Sequence, residues 1–103
     1  KVSMASRVPL MILITVVSAN SGKHVRLLSR ALARNSEPFS IFFTGKGVQV
    51  LAGDWLDQIP EDSEAVACTE SWTQFSSEAC PVTEGSQTDH SRLAAQATHL
   101  VSL

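Results

Sequence analysis

The sequence predicts an α/β domain built on a mainly parallel sheet, and three observations point there. Residues 9–17 form a near-continuous apolar run (Leu10, Met11, Ile12, Leu13, Ile14, Val16, Val17) of the kind found in a strand covered on both faces. Strand-like and helix-like segments then alternate to the end of the chain, the order that produces parallel strands joined by right-handed crossovers. With 44% hydrophobic and 17% charged residues, the composition suits a buried sheet flanked by helices. The 103 residues fit one domain, 1–103, around a single core, with no internal repeat or low-complexity segment.

The elements follow in order. Residues 9–17 are the first strand, and Ser18-Ala19-Asn20-Ser21-Gly22 is a turn. Residues 23–34 are a helix, with Val25, Leu28 and Leu32 on one side and Leu27 and Ala31 beside them. Asn35 and Ser36 end it, ahead of Pro38. Residues 39–44 are the second strand, and Gly45-Lys46-Gly47 turns into a short helix at residues 48–52. Residues 54–63 are a polar connection carrying Pro60, anchored by Trp55, Leu56 and Ile59. The third strand ends at Cys68, and a short helix reaches residue 77. Residues 79–83 are a short fourth strand, at an edge or irregular because Pro81 has no amide to donate. Gly85-Ser86 opens the last helix, 87–96, and residues 98–103 form the closing strand. In such a sheet, ligands and chemistry are expected at the carboxyl ends of the strands.

Charge is unevenly distributed. Residues 1–46 hold seven of the eight Lys and Arg against Glu37 alone, whereas nine Asp or Glu and no Lys or Arg lie between Asp54 and Asp89. The two halves are suited to attract each other, within a subunit or between subunits. An acidic half beside the basic one argues against a nucleic-acid surface. The spacing contains no Cys-x-x-Cys, and His24, His90 and His99 are spread too widely for a preformed zinc site, so no metal is expected. Arg7 followed by the apolar residues 8–17 and Ser18-Ala19-Asn20 has a faint likeness to a signal peptide. The β-branched content of that run favours a strand, and ten residues are far too few to span a bilayer as a helix, so no membrane role is expected.

The chemistry centres on Cys68. It ends the run Glu64-Ala65-Val66-Ala67-Cys68 and is followed by Thr69-Glu70-Ser71-Trp72, a good helix opening. A thiol between a strand end and a helix start is placed where the helix dipole favours thiolate. A buried cysteine acting as a small apolar side chain is the alternative reading. Cys80, twelve residues on, is either a resolving thiol for Cys68 or a structural thiol beside Pro81. Lys23, Arg26, Arg30 and Arg34 form a basic helix stripe, read as a solvated face, as a docking surface for an acidic segment, or as an anion or nucleic-acid contact. Lys46 is a candidate to place positive charge near the strand ends, with Ser18, Asn20 and Ser21 as polar contacts at the same opening. Gly45-Lys46-Gly47 lacks Walker spacing and reads as a turn. The three histidines have no sequence-evident partners and read as surface or capping residues, while Trp55 and Trp72 read as core or subunit-contact residues.

Ile41-Phe42-Phe43-Thr44-Gly45-Lys46-Gly47-Val48 after a β-α opening, a strand ending in Cys68, and a Gly85-Ser86 helix leading to Leu100-Val101-Ser102-Leu103 together resemble the DsrE/DsrF-like sulfur-relay proteins, over residues 9–103. The resemblance implies a three-layer α/β/α domain with a five-stranded parallel sheet, assembled as a homo-oligomer (trimer or hexamer) or with related DsrE-like subunits. It implies a sulfurtransferase in which Cys68 carries sulfane sulfur as a persulfide between donor and acceptor proteins, with no cofactor and a cytoplasmic location. Some members lack the cysteine and serve as structural subunits, so a non-catalytic assembly subunit is the competing expectation.

Overall fold

A computed structural model of the chain describes residues 11–52 and 59–103. The elements are β1 (Ile12–Val16), a 3-10 turn (Ala19–Ser21), α1 (Gly22–Arg34), β2 (Phe39–Phe43), a 3-10 helix (Gly45–Leu51), β3 (Glu64–Cys68), α2 (Thr69–Phe75), β4 (Thr83–Gly85), α3 (Gln87–Gln96) and β5 (His99–Ser102). The five strands form one sheet in the order β4-β3-β2-β1-β5, every pairing parallel. This is the α/β, three-layer α/β/α arrangement expected from the sequence.

Side-chain alternation along the strands creates two cores. Ile14 and Val16 of β1, Ile41 and Phe43 of β2 and Ala67 of β3 point to one face, where Val25 and Leu32 of α1 and Val48, Val50 and Leu51 of the 3-10 helix close over them. Leu13, Phe42, Val66 and Cys68 point to the other, covered by Leu93 of α3. Right-handed crossovers explain the division. The chain steps β1, β2, β3, β4 in one direction and so lays its connections on one face, then returns across the sheet through α3 on the other. Burying each Leu, Ile or Phe here contributes roughly 1.5–3 kcal/mol, which makes the sheet centre the main source of stability.

Local chemistry sets the boundaries. α1 ends in a Schellman motif: Ser36 N–H donates to Ala33 O at 3.1 Å and Glu37 N–H to Leu32 O at 2.9 Å. Ser36 supplies the left-handed residue with φ 56°, a position where glycine is usual. Gly45 also has positive φ (56°), and Gly47 lies so close to β1 that a Cβ there would sit 2.0 Å from the Val16 carbonyl oxygen. These two glycines let the 3-10 helix begin at Gly45, three residues before the expected helix and without an intervening turn. α3 matches its expected bounds because Ser86 caps it: Ser86 Oγ accepts Thr88 N–H at 3.2 Å, and Asp89 Oδ2 accepts Ser86 N–H at 2.9 Å.

Other boundaries moved. β4 is Thr83–Gly85 rather than 79–83, since the ladder to β3 begins beyond Pro81 and pairs Cys68 with Gly85. It is an edge strand, as expected. β1 stops at Val16; Val17 N–H bonds Leu103 O at 2.8 Å, but its side chain is 49% exposed. α1 gains Gly22, α2 ends at Phe75 rather than 77, and β5 is one residue shorter at each end. Ile59 packs against the larger core as an anchor, whereas Trp55, Leu56, Pro9 and Leu10 lie outside the described residues. No helix of the described residues is long and apolar enough to cross a membrane.

Candidate functional site

Cys68 is the last residue of β3 and the N-cap of α2, with extended backbone at φ −63° and ψ 121°. Its position in the topology matters as much as its position on the helix. The chain leaving β3 turns into α2, whose Trp72 packs on one core, while the chain leaving the neighbouring β4 turns into α3, whose Leu93 packs on the other. Connections that diverge to opposite faces from adjacent parallel strands open a crevice at the strand ends, the usual ligand site of such sheets. A cleft of about 490 Å³ lies there, lined by Cys68, Thr69, Glu70 and residues 85–89.

Gly85, the ladder partner of Cys68, forms one wall of this cleft. A Cβ at that residue would come within 2.5 Å of Asp89 Oδ2 and 2.7 Å of Val66 Cγ1, so only glycine fits between β3 and the α3 cap. Thr69 Oγ1 donates to Gly85 O at 3.1 Å and ties the start of α2 to the end of β4.

Cys68 is a free thiol with 6% of its surface exposed. Burial pushes its ionisation up, but the Ser71 hydroxyl, the Ser71 and Glu70 amides and the Gln87 side chain outweigh that, leaving the pKa below the ordinary thiol value. The cap side chain makes no hydrogen bond to the helix as it stands. These donors are thus arranged for an anion more than for the weakly accepting neutral thiol. Ser71 is buried and its Oγ accepts the Gly45 N–H at 2.8 Å, which leaves its own proton for the sulfur. Gln87 Nε2 donates to Thr44 Oγ1 at 3.3 Å, fixing the amide over the end of β2. Ser71, Gln87 and Thr44 were not singled out in the sequence. Ser71 occupies the third helical position after Cys68, a spacing that capping rules make readable, but Gln87 had no comparable signal.

The other candidates fall elsewhere. Cys80 packs beside Trp72 against the larger core, while Cys68 belongs to the smaller core on the opposite face. Burial and the charge of Glu84 push the Cys80 thiol up, with only the Val82 backbone opposing. Trp72 Nε1 donates to Glu78 O at 2.8 Å and lines a hollow with Cys80, outside the Cys68 cleft. Lys46 is exposed and lies outside the cleft lining, as do Ser18, Asn20 and Ser21. Ser18 instead caps the 3-10 turn, accepting Asn20 N–H at 3.2 Å. His90 is half-buried, its Nε2 3.1 Å from Thr15 Oγ1 and its ring 4.9 Å from that of Phe42, a packing role on the α3 face. His24 is exposed, and His99 Nδ1 lies 3.1 Å from Thr98 Oγ1 on the surface. No group of three or more His, Cys, Asp or Glu suited to a metal occurs among the described residues.

Compared with models of known protein families and with curated proteins, the chain matches none of them.

Proposed function

We propose that this chain is a DsrE/DsrF-like sulfur-relay protein in which Cys68 carries sulfane sulfur as a persulfide and passes it to a partner protein. The observation that carries the reading is the placement of Cys68 in the crevice between the diverging ends of β3 and β4, beside donors that favour its anion. The Cys68 thiolate attacks the outer sulfur of a donor persulfide, forming one S–S bond as the donor's S–S bond breaks and the donor leaves as a thiolate. An acceptor thiolate then takes that sulfur and returns Cys68 to its starting state, with no net oxidation and no cofactor. The Ser71 hydroxyl, the Glu70 and Ser71 amides and the Gln87 amide stabilise negative charge on sulfur before and after transfer.

The test is mass spectrometry of the native protein after exposure to a sulfane donor. Addition of one sulfur to Cys68, lost in Cys68→Ser, supports the reading; absence of donor-dependent sulfur on Cys68 rejects it.

A second reading, a non-catalytic subunit of an oligomeric DsrE-like assembly, is favoured by the small exposure of Cys68, 6%. It requires slow alkylation of Cys68 in the native state, where a relay thiolate labels quickly at mildly acidic pH.

A further inference from the structure

Two surfaces of the molecule are complementary to each other and unpaired among the described residues. Lys23, Arg26, Arg30 and Arg34 are exposed along one side of α1, and none of them pairs with a carboxylate among the described residues. Along one edge of this stripe stand Leu27, 51% exposed, and the exposed Ala31. A row of four cations flanked on one side by an exposed leucine forms an amphipathic surface, which differs from an evenly solvated helix face.

The second surface is a cleft of about 720 Å³ near the amino ends of β3 and β4. Ile59, Pro60 and Val82 give it an apolar wall, and Glu61 and Asp62 give it an acidic rim. Both of these carboxylates are exposed and have no ion-pair partner among the described residues. Glu64 at the same cleft is already taken by Arg92, with Nη1 3.3 Å from Oε1. All ion pairs among the described residues belong to Arg92.

We propose that α1 of one copy docks in the Glu61–Asp62 cleft of a second copy of this chain, Leu27 against the apolar wall and the α1 cations against the acidic rim. This goes beyond the sulfur-relay reading and does not depend on it. Charge complementarity selects the occupant: the basic face and the acidic face are opposite in sign, each includes apolar surface, and neither is paired by the described residues of its own copy. Pairing two different patches makes a heterologous contact, which propagates as a ring when the rotation closes. The attraction is between exposed charges, so salt weakens it.

The experiment is sedimentation velocity of the whole chain across a protein and salt series, from about 0.05 to about 0.5 M NaCl, where screening becomes severe. Wild type is expected to self-associate at low salt and to dissociate as salt rises. R26E/R30E and E61K/D62K each weaken association at least about tenfold, the scale of losing close charge pairs. Mixing the two variants restores association, because each supplies the sign the other lost, and this shows at once that both are folded. A wild type that stays monomeric at every salt assigns these faces to other partners and overturns the proposal. So does association that neither reversal weakens, or a mixture of variants that stays apart.

Discussion

The hydroxyl of Ser71 accepts the amide of Gly45 at 2.8 Å, joining the first turn of α2 to the start of the 3-10 helix across 26 positions of chain. This bond orients the hydroxyl whose proton favours the Cys68 thiolate, so one side chain couples the packing of two connections to the ionisation of the sulfur.

Ser71→Ala removes both effects. Loss of the hydrogen bond is expected to lower stability by about 1 kcal/mol, since the exposed Gly45 can turn its amide to water. Burial pushes the Cys68 pKa up and the hydroxyl is the largest influence pulling it down, so its removal moves the ionisation midpoint upward. Urea unfolding measures the first and the pH dependence of Cys68 alkylation the second. An unchanged alkylation profile would show that Ser71 only packs.

The two thiols titrate in opposite directions from the ordinary value. Cys68 is lowered, so below the usual thiol range a larger share of it is anionic than of a free cysteine; Cys80 is raised, so a smaller share of it is. Peptide-resolved labelling across a pH series is expected to give a Cys68 curve centred at lower pH than that of Cys80. The reverse order contradicts the donor arrangement around Cys68.

Oxidation of the folded protein is expected to leave no Cys68–Cys80 disulfide. The two side chains pack in cores on opposite faces of the sheet, and a disulfide requires Cα atoms within roughly 7 Å and converging Cβ vectors. A non-reducing peptide map after mild oxidant checks this, and a bridged peptide would refute it.

Asp89→Ala is expected to cost about 1 kcal/mol through loss of the Ser86 capping box. Asp89 also lies 3.6 Å from the Arg92 guanidinium, an exposed pair that adds little to stability. Hydrogen exchange should accelerate first at Ser86 and Thr88, the amides held by the cap. Faster exchange confined to distant strands would point to another cause.

Two backbone substitutions should move stability in opposite directions. Ser36→Gly relieves a left-handed residue in the α1 cap and is expected to stabilise by about 0.5 kcal/mol after the entropy of a new glycine is subtracted. Gly47→Ala drives a Cβ into the Val16 carbonyl and is expected to cost about 3 kcal/mol, because backbone of a central strand has to yield. Chemical denaturation of both variants measures the pair.

Most of the architecture was legible in local patterns. The apolar run of β1 and the Gly85-Ser86 opening of α3 carry period and turn signals that survive without knowledge of their neighbours. β4 was displaced because β-propensity around residues 79–83 says nothing of where a ladder can start beyond a proline. Cys68 was readable as a site because strand end and helix start are adjacent in sequence. Gln87 was not, since it reaches the sulfur from α3, nineteen positions later in the chain, by way of the fold.

By itself the chain's order of residues determined an alternating α/β domain with parallel strands, because hydrophobic period and turn chemistry are local properties. Tertiary structure alone decided that the connections after β3 and β4 part to opposite faces, that Gln87 reaches Cys68, and that Gly45 bonds Ser71. Those facts depend on strand order in the sheet and on crossover handedness, which set distances between residues remote in sequence.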